Sequence, residues 1–416
     1  MKKNVKVAII AVVLIAIIFG GIGFACFLML PGNEIENGIP GEDEDEEIID
    51  EEIIDEEPEE TILPEGKILF VSQGETSTGE TFNILSVINV DGTGKTYLDA
   101  GKNLWWITSS PDGTKIAYYI DPEGFPPTLC VINVDGTGKT VLDEGQYVQW
   151  SPDGTKIAYS DLNRSLCLIN ADGTGKTVLD ETTGYFYDPQ WSPDGTKIAY
   201  HIYLEGGFFT LCLINADGTG KTVLDETTGY FSNQWSPDGT KIAYAICQGE
   251  KSDLYIINAD GTNKTVLDEG GSLQWSPDGT KILYCSYVYI GENHYYFYIC
   301  IINIDGTNKI ELAEAEFVGG YFVYYYSWSP DGKKILYSEL REKSHDYYFY
   351  IINPDGTNKL ELTKGKFPSW SPDGQWIVYA SGESLGDSYI YLIKPDGTGK
   401  TELTQAQGFW ADWLPV

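Results

Sequence analysis

Two short turn sequences recur along most of the chain and constrain its fold more than any other feature. Ser-Pro-Asp-Gly occurs seven times, with its aspartate at Asp112, Asp153, Asp194, Asp238, Asp278, Asp331 and Asp373. A second turn, Asp-Gly-Thr followed by Gly or Asn and then Lys, occurs eight times, starting at Asp91, Asp135, Asp172, Asp217, Asp260, Asp305, Asp355 and Asp396. Each Ser-Pro-Asp-Gly precedes a segment of the type KIAY, and the same segment without its turn opens the region at Lys67, Ile68, Leu69 and Phe70. Each Asp-Gly-Thr follows a segment such as LCLINA and precedes one such as TVLD. Self-similarity at a period of about 40 to 50 residues marks a repeat architecture.

Every unit therefore reads as strand, turn, strand, loop, strand, turn, strand, which is one four-stranded antiparallel sheet. Ser at i, Pro at i+1 and Gly at i+3 suit a type I turn. Trp150, Trp191, Trp235, Trp275, Trp328 and Trp370 stand directly before their turns, on the strand expected to be innermost, where they would pack between neighbouring sheets. Sheets set radially in this way form a β-propeller. The region begins at the second strand of a unit and ends with Phe409, Trp410, Ala411, Asp412, Trp413, Leu414 and Pro415, which has the pattern of a first strand. The last strand is thus expected to complete the first sheet and remove an exposed edge. Eight second strands and eight Asp-Gly-Thr turns predict an all-β, eight-bladed propeller over residues 67–416. Seven blades is the alternative, because Ser109 replaces the Trp of one unit.

The repeated WSPDGTKIAY followed by INADGT resembles the TolB-type, WD-repeat-like propeller repeat, which also builds the propellers of prolyl-oligopeptidase-class peptidases. The resemblance covers essentially all of residues 67–416 and implies the propeller fold. Function stays open, since propellers host many unrelated activities.

The rest of the chain differs physically from these repeats. Val7 to Leu30 is 24 residues without a charge, long enough as a helix, at roughly 36 Å, to cross a bilayer core of about 30 Å. Residues 1–30 are read as an uncleaved signal anchor, because the apolar run is long for a signal peptide and no small-x-small cleavage site follows it. Residues 31–66 carry 17 acidic residues and no basic one, so like-charge repulsion predicts a disordered, extended spacer. With Lys2, Lys3 and Lys6 on one flank and this acidic run on the other, the positive-inside rule puts the N-terminus in the cytoplasm and the propeller outside, extracellular or periplasmic. A formal net charge of −35 argues against a nucleic-acid partner, which needs clustered Lys and Arg.

Several motifs suggest chemistry without the context it requires. Gly382 to Gly386 spell G-x-S-x-G, but a nucleophile elbow needs a strand-to-helix turn and a later His, and no His follows. The GTGKT strings lack the earlier Gly of a phosphate-binding loop, with Asn89, Asn133, Asn170, Asn215 and Lys394 at that position. Asn170, Asp172, Thr174 and Glu181 mimic an EF-hand frame, yet the segment after them is strand-like. Cys130, Cys167, Cys212 and Cys300 share one position in different units, too far apart to bridge, and Cys285 is diagonal to Cys300. His201, His294 and His345 are expected on loops of separate blades, with no zinc constellation. No catalytic residue, cofactor or metal ligand is assigned.

Both turns fall on one rim. The other rim, made by the loops between second and third strands and between blades, varies in length and is rich in aromatics. Variable loops on a rigid scaffold are where recognition usually resides, so the expected contacts are Tyr185, Phe186, Phe208, Tyr230, Phe231, Tyr295, Tyr321 and Trp410. The reading is a membrane-anchored, non-catalytic scaffold for a protein or peptide. The alternative is a carbohydrate-binding or carbohydrate-active propeller with a glycan stacked on these rings.

Overall fold

The computed structural model describes residues 63–121, 127–182, 184–248, 251–291, 294–318, 325–341, 346–382 and 387–415. The apolar segment 7–30, the acidic stretch up to residue 62, Tyr321, His345 and Ser384 lie outside these residues. Among those described, the chain forms antiparallel strands and tight turns in an all-β, propeller-like arrangement, and no helix is long and apolar enough to cross a membrane.

The two turns explain why the chain reverses where it does. In the Ser110–Gly113 turn, the Gly113 amide donates to Ser110 O at 2.8 Å, and Asp112 Oδ1 accepts from Ser110 Oγ at 2.5 Å and from the Thr114 amide at 3.1 Å. Gly113 has φ +64°, which a side chain would strain. Asp135 plays the same part in the second turn, taking the Thr137 amide at 2.9 Å. These turns also stack around the ring. The Gly154 Cα faces Pro111, Gly195 faces Pro152 and Gly239 faces Pro193, while Gly113 abuts Pro415 at the C-terminus.

Each KIAY strand is buried on both faces because a sheet lies on either side. Ile116 and Tyr118 belong to one apolar cluster, and Ala117 and Tyr119 to the next. The strands form six four-stranded sheets and one of seven strands. The seven arise because the strand Thr140–Trp150 serves two repeats: Thr140 to Glu144 pair with Thr128–Asn133, and Gly145 onward pairs with Lys156–Asp161. At the changeover a Cβ on Gly145 would lie 2.2 Å from Ser160 O, so only glycine fits.

Closure follows the expectation. The strand Trp410–Trp413 pairs antiparallel with Lys67–Glu75, in the register Ile68↔Trp413 and Val71↔Trp410. Ile68, Phe70, Trp376, Val378, Ala411 and Trp413 share one apolar cluster, which joins the last repeat to the first. The Trp residues before the turns are buried between sheets as predicted. Some also tie one repeat to the one before it: Trp150 Nε1 donates to Thr108 O at 3.2 Å, and Trp235 Nε1 donates to Gln190 O at 3.0 Å.

Candidate functional site

On the rim of Ser-Pro-Asp-Gly and Asp-Gly-Thr turns, the carboxylates serve the turns themselves. Hydrogen bonds from the Ser110 hydroxyl and from Thr114 hold Asp112 below the usual carboxylate range. Asp172, the third position of the EF-hand-like frame, is held low in the same way by the Thr174 hydroxyl and amide. Among the described residues, no group of three His, Cys, Asp or Glu side chains is arranged to hold a metal ion.

The opposite rim separates the expected contacts into two sets. Tyr185 and Phe208 are each 44 % exposed and Tyr230 is 39 % exposed. Phe186, Phe231 and Trp410 are instead core residues, at 2 %, 0 % and 4 %. Phe186 stacks on Tyr200 at 5.8 Å, and Phe231 packs between Tyr244 and His201. The reason is the strand period of two. Tyr185 and Phe186 are neighbours on the strand Gly184–Trp191, and Tyr230 and Phe231 on Tyr230–Trp235, so one ring of each pair points outward and the other into the sheet interface. Trp410 is consumed by ring closure, beside Val71 and Leu104. Tyr295 lies on the strand His294–Asn303, and its side chain, like Tyr321, falls outside the description.

Of the exposed rings, Tyr185 and Tyr230 belong to a longer aromatic belt. Trp106 meets Tyr147 at 5.1 Å between ring centroids, Tyr147 meets Tyr187 at 5.3 Å, and Tyr187 meets Phe209 at 6.4 Å. Phe209 then touches Tyr203 at 4.7 Å and Tyr230 at 5.8 Å, while Tyr185 leans on both Tyr187 and Tyr203. The belt runs without a break from the second repeat to the fifth.

The belt is positioned by a backbone device that the residue pattern did not reveal. Trp106, Tyr147, Asp188, Ser272 and Phe367 occupy one equivalent position in the first strands of five repeats, and all have positive φ, from +45° to +58°. The strand register slips at each of them. Such bulges re-aim side chains, and a left-handed non-glycine residue costs on the order of 1–2 kcal/mol. Two residues on, a polar side chain follows at each site. Gln149 Nε2 donates to Gln190 Oε1 at 3.1 Å, Gln190 Nε2 donates to Asp188 Oδ1 at 2.8 Å, and Ser369 Oγ donates to Asp412 Oδ1 at 2.6 Å. Protein atoms ring Asp188, although some of its surface stays open, and burial pushes its carboxyl up to about 6 against the Gln190 hydrogen bond. Burial also raises Asp412.

His201 is a correction to the sequence reading. It lies within the strand Lys197–Leu204 and is fully buried between the fourth and fifth repeats. Neither of its nitrogens has a hydrogen-bond partner, and neither does the side chain of buried Asn233 across the interface. Burial pushes the imidazole down to about 3, and the Asn233 side chain, which lies near but outside hydrogen-bond geometry, does little to hold it up. The described cysteines are free thiols, and Cys285 pairs with Ile299 rather than Cys300, as the diagonal placement required.

A family model described as TolB beta propeller domain matches residues 161–414. Among solved structures, an oligogalacturonate lyase from Vibrio parahaemolyticus is similar at 15% identity and a TM-score of 0.52, over 79% of this chain and 98% of that one. An oligogalacturonate lyase in complex with manganese shares 16% identity at a TM-score of 0.51, over 80% of this chain and 98% of that one. A dipeptidyl peptidase 4 from Porphyromonas gingivalis shares 12% identity at a TM-score of 0.57, over 80% of this chain and 58% of that one. No curated protein sequence matches. At these identities the likeness to solved structures is one of fold.

Proposed function

Because the chain belongs to the TolB beta propeller domain family, we propose that it is a membrane-anchored propeller of eight blades. In this reading it acts outside the cytoplasm as a non-catalytic scaffold for a protein or peptide partner. The blade count draws on the strand pairing: the seven-stranded sheet divides at Gly145 into two sets of four that share one strand, and six further sheets have four strands each. The anchor and its orientation draw on the uncharged run from Val7 to Leu30, with lysines before it and carboxylates after it.

The observation that carries recognition is the aromatic belt, which leaves Tyr185 and Tyr230 open to solvent on the loop rim, with the separate exposed ring of Phe208 on the same rim. Tyrosine offers a π-face and a hydroxyl, and an exposed aromatic run exceeds what packing between blades requires. A photo-crosslinking residue placed at Tyr230 or Phe208, in cells that carry the full chain, is expected to yield a discrete protein adduct. The same residue at Asp217, on the turn rim, is expected to yield none. Adducts from Asp217 alone, or from no position, defeat the scaffold reading. Protease added to spheroplasts is expected to cut the acidic spacer and release the propeller, and full protection reverses the orientation. The same rings support a second reading, sugar binding, since Tyr185 forms a wall of a polar cleft.

A further inference from the structure

A cleft of about 330 Å³ opens on the loop rim where the third repeat hands over to the fourth. Its walls include Asn163 and Arg164 from one hairpin, Glu181 from the crossing segment, and Tyr185, Tyr203 and Glu205 from the next repeat. Arg164 is one of two arginines in a chain with 62 acidic residues. Its guanidinium lies 3.8 Å from the Tyr185 ring centroid, and among the described residues no ion pair or side-chain hydrogen bond engages it. Stacking holds the plane of the fork and leaves its N–H edges free to donate. Glu181 and Glu205 share the cavity, and among the described residues no ion pair joins either of them to Arg164 or to a lysine.

Arg164 is also held at a backbone cost. Its φ is +62°, at the tip of a turn in which its amide donates to Asp161 O at 2.9 Å and the Ser165 amide donates to Asp161 Oδ1 at 3.0 Å. Glycine or asparagine fills the left-handed positions of the Asp-Gly-Thr turns, as Gly138, Asn263 and Asn308 do. An arginine at such a position gives up local stability to put a guanidinium on that spot.

We propose that this cleft binds a neutral saccharide. Two carboxylates accept hydroxyl hydrogens, the Arg164 fork and the Asn163 amide donate to ring and hydroxyl oxygens, and Tyr203, with the edge of Tyr185 that the stacked guanidinium leaves uncovered, borders the apolar C–H groups of a pyranose. Phe208, exposed beside Gly206 at the cleft edge, extends the platform to a second ring. The two carboxylates disfavour an acidic sugar, and the guanidinium disfavours a simple cation. A zwitterion meets the charges but leaves the rings unused. The inference extends the sugar-binding reading and does not depend on protein-partner capture.

The test uses the full chain in phosphatidylcholine nanodiscs and titration calorimetry with cellotriose, mannotriose, chitotriose, trigalacturonate and triglycine. At least one of the three neutral trisaccharides is expected to bind. Arg164→Gly relieves the left-handed backbone, so its melting temperature should hold or rise, while affinity falls about tenfold or more with loss of the charged donors. Tyr185→Ala should weaken binding likewise. Binding that survives both substitutions moves any sugar site elsewhere and overturns the cleft assignment. Binding of only trigalacturonate or triglycine overturns the ligand class, and no binding at all overturns the proposal with the sugar reading. A marked fall in melting temperature for Arg164→Gly, with affinity kept, makes Arg164 a structural strap.

Discussion

Lys139 of the second repeat reaches back 2.6 Å to Asp99 on the outermost strand of the first, and the same carboxylate accepts the Tyr118 hydroxyl at 2.7 Å. The arrangement recurs. Asp180 takes Lys221 and Tyr200, and Asp225 takes Lys264 and Tyr244, while Asp143 and Asp268 hold the corresponding pairs at the other early junctions. It ends where the sequence changes from TVLD to IELA, LELT and TELT, which puts Ala313, Thr363 and Thr404 at the aspartate position. At the closing junction Lys95 donates instead to the backbone Gln405 O at 3.1 Å and lies over Phe70, which stands where the other repeats have a tyrosine.

Thr363→Asp should therefore stabilise the protein. Lys400 already lies 3.3 Å from Thr363 Oγ1, and the buried Tyr379 hydroxyl has no partner. A carboxylate there would satisfy both, for about 1–2 kcal/mol by the size of charge-assisted hydrogen bonds at a partly exposed site. Denaturant midpoints measure it, and an unchanged midpoint means the strap adds nothing at this junction. Asp225→Ala, which strands Tyr244, should cost a similar amount in the opposite direction.

Ring closure depends on the last strand. Trp413 is buried in the cluster that joins the last repeat to the first, and Leu414 enters the next cluster. Trp413→Ala should cost about 3–5 kcal/mol, as for a large core aromatic, and removal of residues 409–416 should bare a sheet edge and promote aggregation. Retention of the full melting temperature by the truncated chain would show that the first sheet is held by other contacts.

Asp188 gives a dependence on pH. Its folded carboxyl is raised to about 6 from an unfolded value near 3.9. It therefore adds stability below the unfolded value, and that stability is lost as pH rises through 6. At pH 7.5 Asp188→Asn keeps an oxygen for Gln190 without the buried charge, and should gain about 2–3 kcal/mol. The gain should shrink between pH 6 and 4 and vanish below it. A difference that does not vary with pH over this range assigns the effect to packing.

Residue pattern alone gave the repeats, because a turn glycine and proline at a fixed period leave few alternatives, and it gave closure through the Trp-Ala-Asp-Trp-Leu-Pro ending. The missing straps were also written in the sequence, at Ala313, Thr363 and Thr404, once the role of the aspartate was known. The surface was less legible. Tyr185 and Phe186 have the same character as letters and opposite fates in a strand. The bulge at Tyr147 and Asp188 puts a left-handed backbone on residues other than glycine, so the residue types do not announce it. His201 looked like a loop residue because its strand runs to Leu204, past the KIAY segment that defined the strand in other repeats.

His201 and Asn233 put two buried polar side chains opposite each other at the fourth-to-fifth junction. The equivalent pair between the fifth and sixth repeats is Ala245 and Leu273, both buried in a single apolar cluster. Burial without partners leaves the two His201 nitrogens and the Asn233 amide unsatisfied, at about 1–3 kcal/mol for each stranded group. The histidine adds a pH term: its folded value is about 3 against an unfolded value near 6.5. Stability is full above pH 6.5 and falls as acid protonates the unfolded chain, by about 2 kcal/mol at pH 5. Asp188 acts in the other direction in that window, while turn aspartates held low, such as Asp112 and Asp153, act in the same direction towards its acid end, so the histidine term must be read by difference. The double variant His201→Ala, Asn233→Leu copies the fifth-to-sixth junction. It should be more stable at pH 7.5 by a few kcal/mol, and the difference should widen from pH 6.5 to pH 4. Denaturant unfolding of both proteins across that range decides it. A variant that is less stable at pH 7.5, with a gap that stays constant on acidification, would mean that the His201 and Asn233 polar atoms are satisfied in solution.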